Sequence, residues 1–329
     1  MKIFIAGNSR SGTTMMSRIL GNHESVFTFE ELHFFDELLT VDNPDAPLIE
    51  ENAIQLFATL CAVQRDGYFG PRNPDIYIEE SKAVLKDFEN ISALELFEKF
   101  LTSESRLNNR IIPCEQTPQT IFSLDAVLGK YSDARVIIMV RDPREVLLSQ
   151  KYKWKRRKFS GGKIPAKESL RAKINYHPVI ISKIWNRVMR RADRYKNNPA
   201  VLFVKYEDLI LSPEIFIKRV CNHVGIEFNS KMLDIPVAGS SNTEDTNLKR
   251  GIDSSRSGQW EKGGLNTTEI YICEQENEKL MAQYGYEQSK LSFSVLLLNW
   301  YKISLPFQLS LALLFNLKRL KNVKNIIRR

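Results

Sequence analysis

The first residues able to do chemistry lie close to the N-terminus. Gly7-Asn8-Ser9-Arg10-Ser11-Gly12-Thr13-Thr14 stands between a short apolar run and a helical pattern. A loop that leads from a strand into a helix aims backbone N–H groups at whatever lies before the helix, and the helix dipole adds positive potential there. Such a loop receives an anion. Gly7 and Gly12 have the spacing of a GxxxxGK[ST] phosphate loop, but Thr13 occupies the lysine position. A nucleoside-triphosphate enzyme uses that lysine on the β- and γ-phosphates. Here the cation stands inside the loop as Arg10, whose planar, permanently charged fork suits a tetrahedral oxyanion. An ordinary strand-to-helix turn also uses glycines, so the loop alone specifies no more than an anion.

A second chemical feature is basic. Lys151, Lys153, Lys155, Arg156, Arg157 and Lys158 crowd eight positions, with Tyr152 and Trp154 among them. Such a run reads as a solvated helix face, or as a rim that draws in an acidic polymer while its aromatics stack on sugar rings.

The elements that must hold these groups follow from periodicity. Residues 2–6 form a short apolar run of buried-strand type, and Met15, Met16, Ile19 and Leu20 share one helical face before Gly21. The pattern recurs at 135–140 with Pro143 at a first helical turn, and at 201–204 with Ser212-Pro213-Glu214 opening a helix. Helices are further predicted over 48–64, 91–106, 167–197 and 267–284. Strands alternating with helices predict an α/β fold: an open, mainly parallel sheet with helices on both faces, in one domain with helical insertions.

Composition sets bounds. With 329 residues, 43% hydrophobic and 26% charged, the chain is an ordinary folded protein. Its formal charge of +8 fits an anionic partner without choosing among nucleotide, glycan, nucleic acid and membrane. Cys61, Cys114, Cys221 and Cys273 are scattered, and the four histidines form no HExxH pattern, so neither a disulfide framework nor a metal site is expected. Met1-Lys2 runs directly into the first strand, which predicts a cytoplasmic protein without a signal peptide.

Two segments together carry a family resemblance. Arg10-Ser11-Gly12-Thr13-Thr14 resembles the 5′-phosphosulfate loop of the sulfotransferases, especially their Golgi-type and bacterial members. Arg141-Asp142-Pro143-Arg144-Glu145-Val146-Leu147-Leu148-Ser149 resembles that family's 3′-phosphate motif, in which an arginine at a strand end and a serine eight residues later share the phosphate. Phe29-Glu30-Glu31-Leu32-His33-Phe34-Phe35 is similar to the acidic segment of glycan N-sulfotransferases and tyrosine sulfotransferases. Cys114-Glu115-Gln116-Thr117-Pro118 resembles an E-K-T-P segment, Lys205-Tyr206-Glu207-Asp208-Leu209 the nucleotide-side segment, and Ser254 to Trp260 the loop closing over the 3′-phosphate. The resemblance spans about residues 2–285 and leaves 286–329 outside as a separate segment.

The resemblance implies a co-substrate, 3′-phosphoadenosine-5′-phosphosulfate (PAPS), bound without metal by Arg10, Ser11, Gly12, Thr13, Thr14, Arg141, Ser149, Tyr206, Ser255 and Arg256. Sulfuryl transfer needs a base for the acceptor proton and cations for the leaving group. The resemblance assigns the base to Glu31, with Glu30 as the alternative; His33 assists or contacts the acceptor, or is a packing residue. Arg10 would hold the sulfuryl and bridging oxygens. Gln116 departs from the family, since many relatives carry a lysine there, near the leaving group. Trp260 is read as packing.

The expected acceptor is a saccharide of a bacterial polysaccharide or glycolipid at the inner membrane face; protein tyrosine and small alcohols also fit. The competing classes are a phosphate-loop kinase or NTPase, disfavoured by the missing lysine, and a non-catalytic binder of anionic polymers. No nucleic-acid module is present, so nucleic acid is not an expected partner. Residues 291–317 are apolar but interrupted by Asn299, Lys302, Pro306 and Gln308, a poor spanning helix, and a basic cluster follows from Lys318 to Arg329. Interfacial attachment to anionic lipid and a helix packed on the domain are both open readings.

Overall fold

The computed structural model describes residues 1–67, 70, 72–156, 158–159, 162–237 and 250–316. Its strands in chain order are β1 (Lys2–Gly7), β2 (Val26–Thr28), β3 (Ile112–Glu115), β4 (Ala134–Val140), the two-residue β5 (Lys158–Phe159) and β6 (Gly162–Lys163), and β7 (Val201–Lys205). Five of them form one sheet in the order β2-β3-β1-β4-β7, and every pairing in it is parallel. β5 and β6 pair apart as an antiparallel hairpin.

The helices are α1 (Thr13–Gly21), α2 (Glu50–Asp66), α3 (Ile78–Leu85), α4 (Ala93–Leu107), α5 (Leu124–Lys130), α6 (Pro143–Lys151), α7 (Ala166–Ile174), α8 (Pro178–Asp193), α9 (Tyr206–Leu211), α10 (Pro213–Val224), α11 (Thr267–Gln283) and α12 (Val295–Asn316). They cover both faces of the sheet, as a parallel sheet requires. Side chains alternate along each strand. Phe4, Ala6, Val136 and Ile138 therefore enter one core with Phe57, Phe97, Phe100 and Trp185 from α2, α4 and α8. Ile3, Ile5, Ile137 and Met139 enter the other, with Met16 and Ile19 of α1 and Ile217 and Val220 of α10. The expected α/β architecture is the one observed.

This order positions the site. β1 lies between β3 and β4, so chain segments leaving the carboxyl ends of β1 and β4 diverge and leave a crevice there, the usual ligand position in open α/β sheets. Gly7 ends β1, and Arg141 follows β4.

Two expectations need correction. The helix predicted over 167–197 is two, α7 and α8, because Pro178 lacks an N–H and holds His177 extended at φ −150. β2 and β3 were not foreseen: three and four residues are too short for a period, and Pro113 argues against a strand. In the tail, the described residues Val295–Asn316 form one helix, α12, which contains Pro306. Just past residue 285, the Tyr286 hydroxyl donates to Glu207 Oε2 at 2.9 Å.

Candidate active site

The loop after β1 is shaped by two glycines. Gly7 has φ 141, and a Cβ there would come within 2.5 Å of the Met139 carbonyl oxygen. Gly12, at φ 93, caps α1 without a side-chain hydrogen bond, and a Cβ would meet the Tyr206 ring at 2.6 Å. The first-turn N–H groups of α1 are thus left without a side-chain cap, with no acidic residue in that turn. Arg10 has φ 76, a left-handed conformation that costs a non-glycine residue energy and recurs at functional sites.

The segment after β4 meets this loop directly. Asp142 caps α6 by accepting from the Arg144 N–H at 2.8 Å, with Pro143 in the first turn. Two turns of helix then bring Ser149 back toward the strand end. Arg10 Nε donates to Ser149 Oγ at 2.9 Å, and Arg141 Nη1 donates to the Arg10 carbonyl at 3.0 Å. The Arg141 guanidinium lies 4.2 Å from the centre of the Tyr206 ring and pairs with Glu145 at 3.1 Å. Burial, then the charges of Arg156 and Arg141, pull Arg10 down to about 9. It stays protonated at neutral pH, and an anion between these guanidinium groups would relieve their repulsion.

An acidic wall stands across the cleft. Beyond β2, Phe29, Leu32, Phe34 and Phe35 are buried, and Phe34 stacks on Phe97 at 3.9 Å between ring centres. These anchors fix the polar residues between them. His33 takes φ 50 and starts a five-residue π turn, Phe34–Leu38. Its Nε2 is 3.4 Å from Glu31 Oε2, and its Nδ1 is 2.9 Å from Asp36 Oδ2. Burial alone would lower the proton affinity of His33, but the hydrogen bonds and charges of Asp36 and Glu31 outweigh it and push it up to about 11. The imidazole is therefore cationic at neutral pH and is no resting-state base.

Both walls face one cleft of about 1370 Å³. Of the residues singled out from sequence, Arg10, Gly12, Thr13, Thr14, Glu31, His33, Arg141, Ser149, Tyr206, Ser255 and Arg256 line it. Arg256 lies 3.4 Å from Asp253, which also accepts from the Ser255 hydroxyl at 2.6 Å. Ser11 does not reach the cleft: it is fully buried, its N–H donates to the Asn8 carbonyl at 3.1 Å, and its Oγ has no protein partner. Glu30 is also absent from the lining; its N–H donates to Gln64 Oε1 at 3.0 Å. Trp260 packs under the Arg144 guanidinium, 3.9 Å away.

The basic run divides. Lys151 pairs with Glu269 at 2.7 Å, whereas Lys153, Lys155 and Arg156 line the cleft with Tyr152. Arg157 and the Lys158 side chain lie outside the described residues. Cleft water reaches Lys153, while protein surrounds it further out. That enclosure, then the charge of Arg10, lowers Lys153 to about 8. Gln116, at the departing position, is buried outside the cleft with its Oε1 unpaired.

Sequence reasoning missed Asp36 and assigned Lys153 and Arg156 only to the acceptor rim. The first had a signal, since an acid three residues after a histidine lies one turn away. The second had none, because it depends on how the chain after α6 folds back toward β1. Among the described residues, His33, Asp36 and Glu37 bring possible metal-ligand atoms within 4.8 Å of one another, but the His33–Asp36 hydrogen bond already accounts for the closest pair. All four cysteines are buried free thiols.

Comparison with known proteins gives the same class. Residues 2–230 match the sulfotransferase family. No curated protein matches the sequence. Among solved structures, the chain is similar to the sulfotransferase domain of the Synechococcus PCC 7002 olefin synthase, with TM-score 0.56 and 18% identity over 88% of this chain and 95% of that one. It is also similar to the sulfotransferase domain from the curacin biosynthetic pathway, with TM-score 0.54 and 18% identity over 87% and 98%. At these identities the likeness is one of fold.

Proposed function

Because this chain belongs to the sulfotransferase family, we propose that it moves a sulfuryl group from PAPS to a hydroxyl or amine of a saccharide acceptor. The observation that carries the donor assignment is the meeting of two anion-binding segments: Arg10 reaches Ser149, and Arg141 reaches the Arg10 carbonyl. A donor with phosphate at both the 3′ and 5′ positions needs cations from both segments. Entry of the nucleotide replaces the Arg10–Ser149 hydrogen bond, freeing Arg10 for the phosphosulfate and Ser149 for the 3′-phosphate. Tyr206 and Arg256 border the latter.

The transfer is an in-line displacement at sulfur. The acceptor oxygen or nitrogen forms its bond to sulfur as the bond from sulfur to the bridging oxygen breaks, leaving 3′,5′-adenosine bisphosphate. Glu31 takes the acceptor proton. The cationic His33, fixed by Asp36, holds the Glu31 carboxylate in position and compensates its charge before transfer. Negative charge growing on the leaving phosphate is met by Arg10 and by Lys153, which replaces the cation that Gln116 lacks. Lys155, which lies over the Tyr152 and Trp154 rings at 4.6 and 5.7 Å, forms with them a basic aromatic rim that supports a sugar acceptor carrying acidic groups, as in a polysaccharide or glycolipid intermediate at a membrane face.

Calorimetry tests the donor. Binding of 3′,5′-adenosine bisphosphate without metal, and tighter than ATP with Mg²⁺, is expected; preference for ATP with Mg²⁺ overturns the assignment. Transfer of labelled sulfate from PAPS to a panel of glycans, phenols and peptides tests the acceptor, and labelling of phenols or peptides alone refutes the saccharide.

A further inference from the structure

α12 leaves a long apolar stripe exposed to water. A surface helix normally turns apolar residues inward and polar ones outward. Here Leu296, Trp300, Ile303, Phe307, Leu311 and Leu314 recur at three- and four-residue spacing, hence on one face, and all are exposed, from 84% for Leu296 to 41% for Leu311. The stripe runs about 27 Å along the axis. The face toward the body is mixed: Leu297, Leu298, Leu305 and Ala312 are half-buried there, and polar side chains between them bond to the body. Asn266 Nδ2 donates to the Tyr301 hydroxyl at 3.1 Å, Ser304 Oγ lies 3.4 Å from His177 Nε2, and Asn316 Nδ2 donates to Asn175 Oδ1 at 3.0 Å. Gln308 Nε2 donates to the Ile174 carbonyl. Polar contacts thus fix the orientation that keeps the apolar stripe outside.

Charge identifies what covers it. After Glu287 the remaining 42 residues contain eight Lys and Arg and no Asp or Glu. Of 47 basic and 39 acidic residues in all, this leaves 39 of each in residues 1–287. The whole net charge of +8 therefore belongs to the segment that carries the stripe. Pairing two copies through the stripe would bring two such charged segments together, which like-charge repulsion opposes. A bilayer with anionic headgroups takes both features at once. No helix among the described residues is long and apolar enough to cross a membrane.

We propose that the outer face of α12 is a docking surface for an anionic lipid bilayer, in which the helix lies in the plane of the interface with the stripe among the acyl chains. The body face of α12 packs on α7, and Asn175 and Tyr176 just beyond α7 line the catalytic cleft. Docking therefore brings this side of the cleft close to the membrane. The surface does not depend on the identity of the donor or of the acceptor.

The test is sedimentation of the full-length protein with phosphatidylcholine vesicles and with vesicles that also contain phosphatidylglycerol. Binding to the anionic vesicles, weakened by salt, is expected. The double variant Leu296→Ser, Phe307→Ser should bind them about tenfold or more weakly, while its binding of 3′,5′-adenosine bisphosphate is unchanged, since both side chains are exposed. Three results overturn the proposal: no preference for anionic vesicles, equal binding by the double variant, or a wild-type dimer that the double variant abolishes.

Discussion

The cleft and the C-terminal segment of the sequence are both rich in basic residues, but in opposite company. In the cleft, Arg141 meets Glu145, Arg256 meets Asp253, Arg171 meets Glu168, and His33 lies between Glu31 and Asp36. Cations held among carboxylates have fixed positions and little field beyond the site. Such a region discriminates between small ligands by geometry. Beyond Glu287 the basic residues have no acid among them, so their field extends outward and attracts a charged surface without reading its shape. One region is built for selectivity, the other for attachment.

The comparison breaks most severely if the acidic wall proves dispensable. Glu31→Gln keeps the shape of the side chain and removes its ability to accept a proton. The expected fall in kcat is ~10²–10⁴-fold, with affinity for 3′,5′-adenosine bisphosphate unchanged in calorimetry. Intact sulfate transfer by this variant removes Glu31 as the base and makes the carboxylates mere spacers for the cations.

Lys153 sharpens the cationic side. Its removal as Lys153→Met should cost about 10²-fold in kcat, the usual loss for one charge-stabilising donor. Because the protein enclosing the cleft and the charge of Arg10 hold Lys153 near 8 in the ligand-free enzyme, its charge is lost there as pH rises through that value. The wild-type kcat/KM should therefore decline above about pH 8, and Lys153→Arg should retain kcat/KM to higher pH. An alkaline limb that persists in Lys153→Arg belongs to another group.

Asp36 acts one step away, through His33. Asp36→Asn removes a carboxylate that raises the proton affinity of His33, and burial then pulls that affinity down from about 11. In a Lys153→Arg background, the added Asp36→Asn change should lower kcat about tenfold, the worth of one charge-assisted hydrogen bond. It should also create a new decline with rising pH, since the imidazole now loses its proton within the measured range. A uniform loss at every pH would assign Asp36 a packing role only.

How much of this was legible depends on the distance over which each feature is specified. The loop from Gly7 to Thr14 and the segment from Arg141 to Ser149 are local: strand, turn chemistry and first helical turn follow from neighbouring residues. Glu31 and His33 were readable as candidates, but the buried phenylalanines that fix them could not tell Glu30 from Glu31. The tertiary structure separates them: Glu31 lines the cleft beside His33, whereas the Glu30 N–H donates to Gln64. Lys153 illustrates the other limit. A basic run has the same composition whether it faces solvent or a nucleotide, and its placement depends on the non-local return of the chain after α6. α12 misled in another way. Its apolar residues suggested packing or insertion, and Tyr301, Ser304, Gln308 and Asn316 among its polar residues proved to face the protein beside Leu297, Leu298 and Leu305, leaving the rest of the apolar residues outside.

The smallest expected effect is the one that separates the two regions most directly. Screening shortens the reach of a charge from about 10 Å at 0.1 M ionic strength to about 3 Å at 1 M, and it acts weakly on enclosed groups. Arg10 and Arg141 would hold the nucleotide inside a cleft, by contacts shorter than either length. Raising NaCl across this range should therefore weaken binding of 3′,5′-adenosine bisphosphate by only a few-fold, about 1 kcal/mol or less. Vesicle binding through the C-terminal segment should fall by an order of magnitude or more over the same range, because each basic residue near an anionic surface contributes about 1 kcal/mol that salt removes. Calorimetry and sedimentation on one preparation supply both slopes. Equal slopes would mean that the cleft attracts its ligand by diffuse charge as well, and the division between a selective site and an attaching surface would fail.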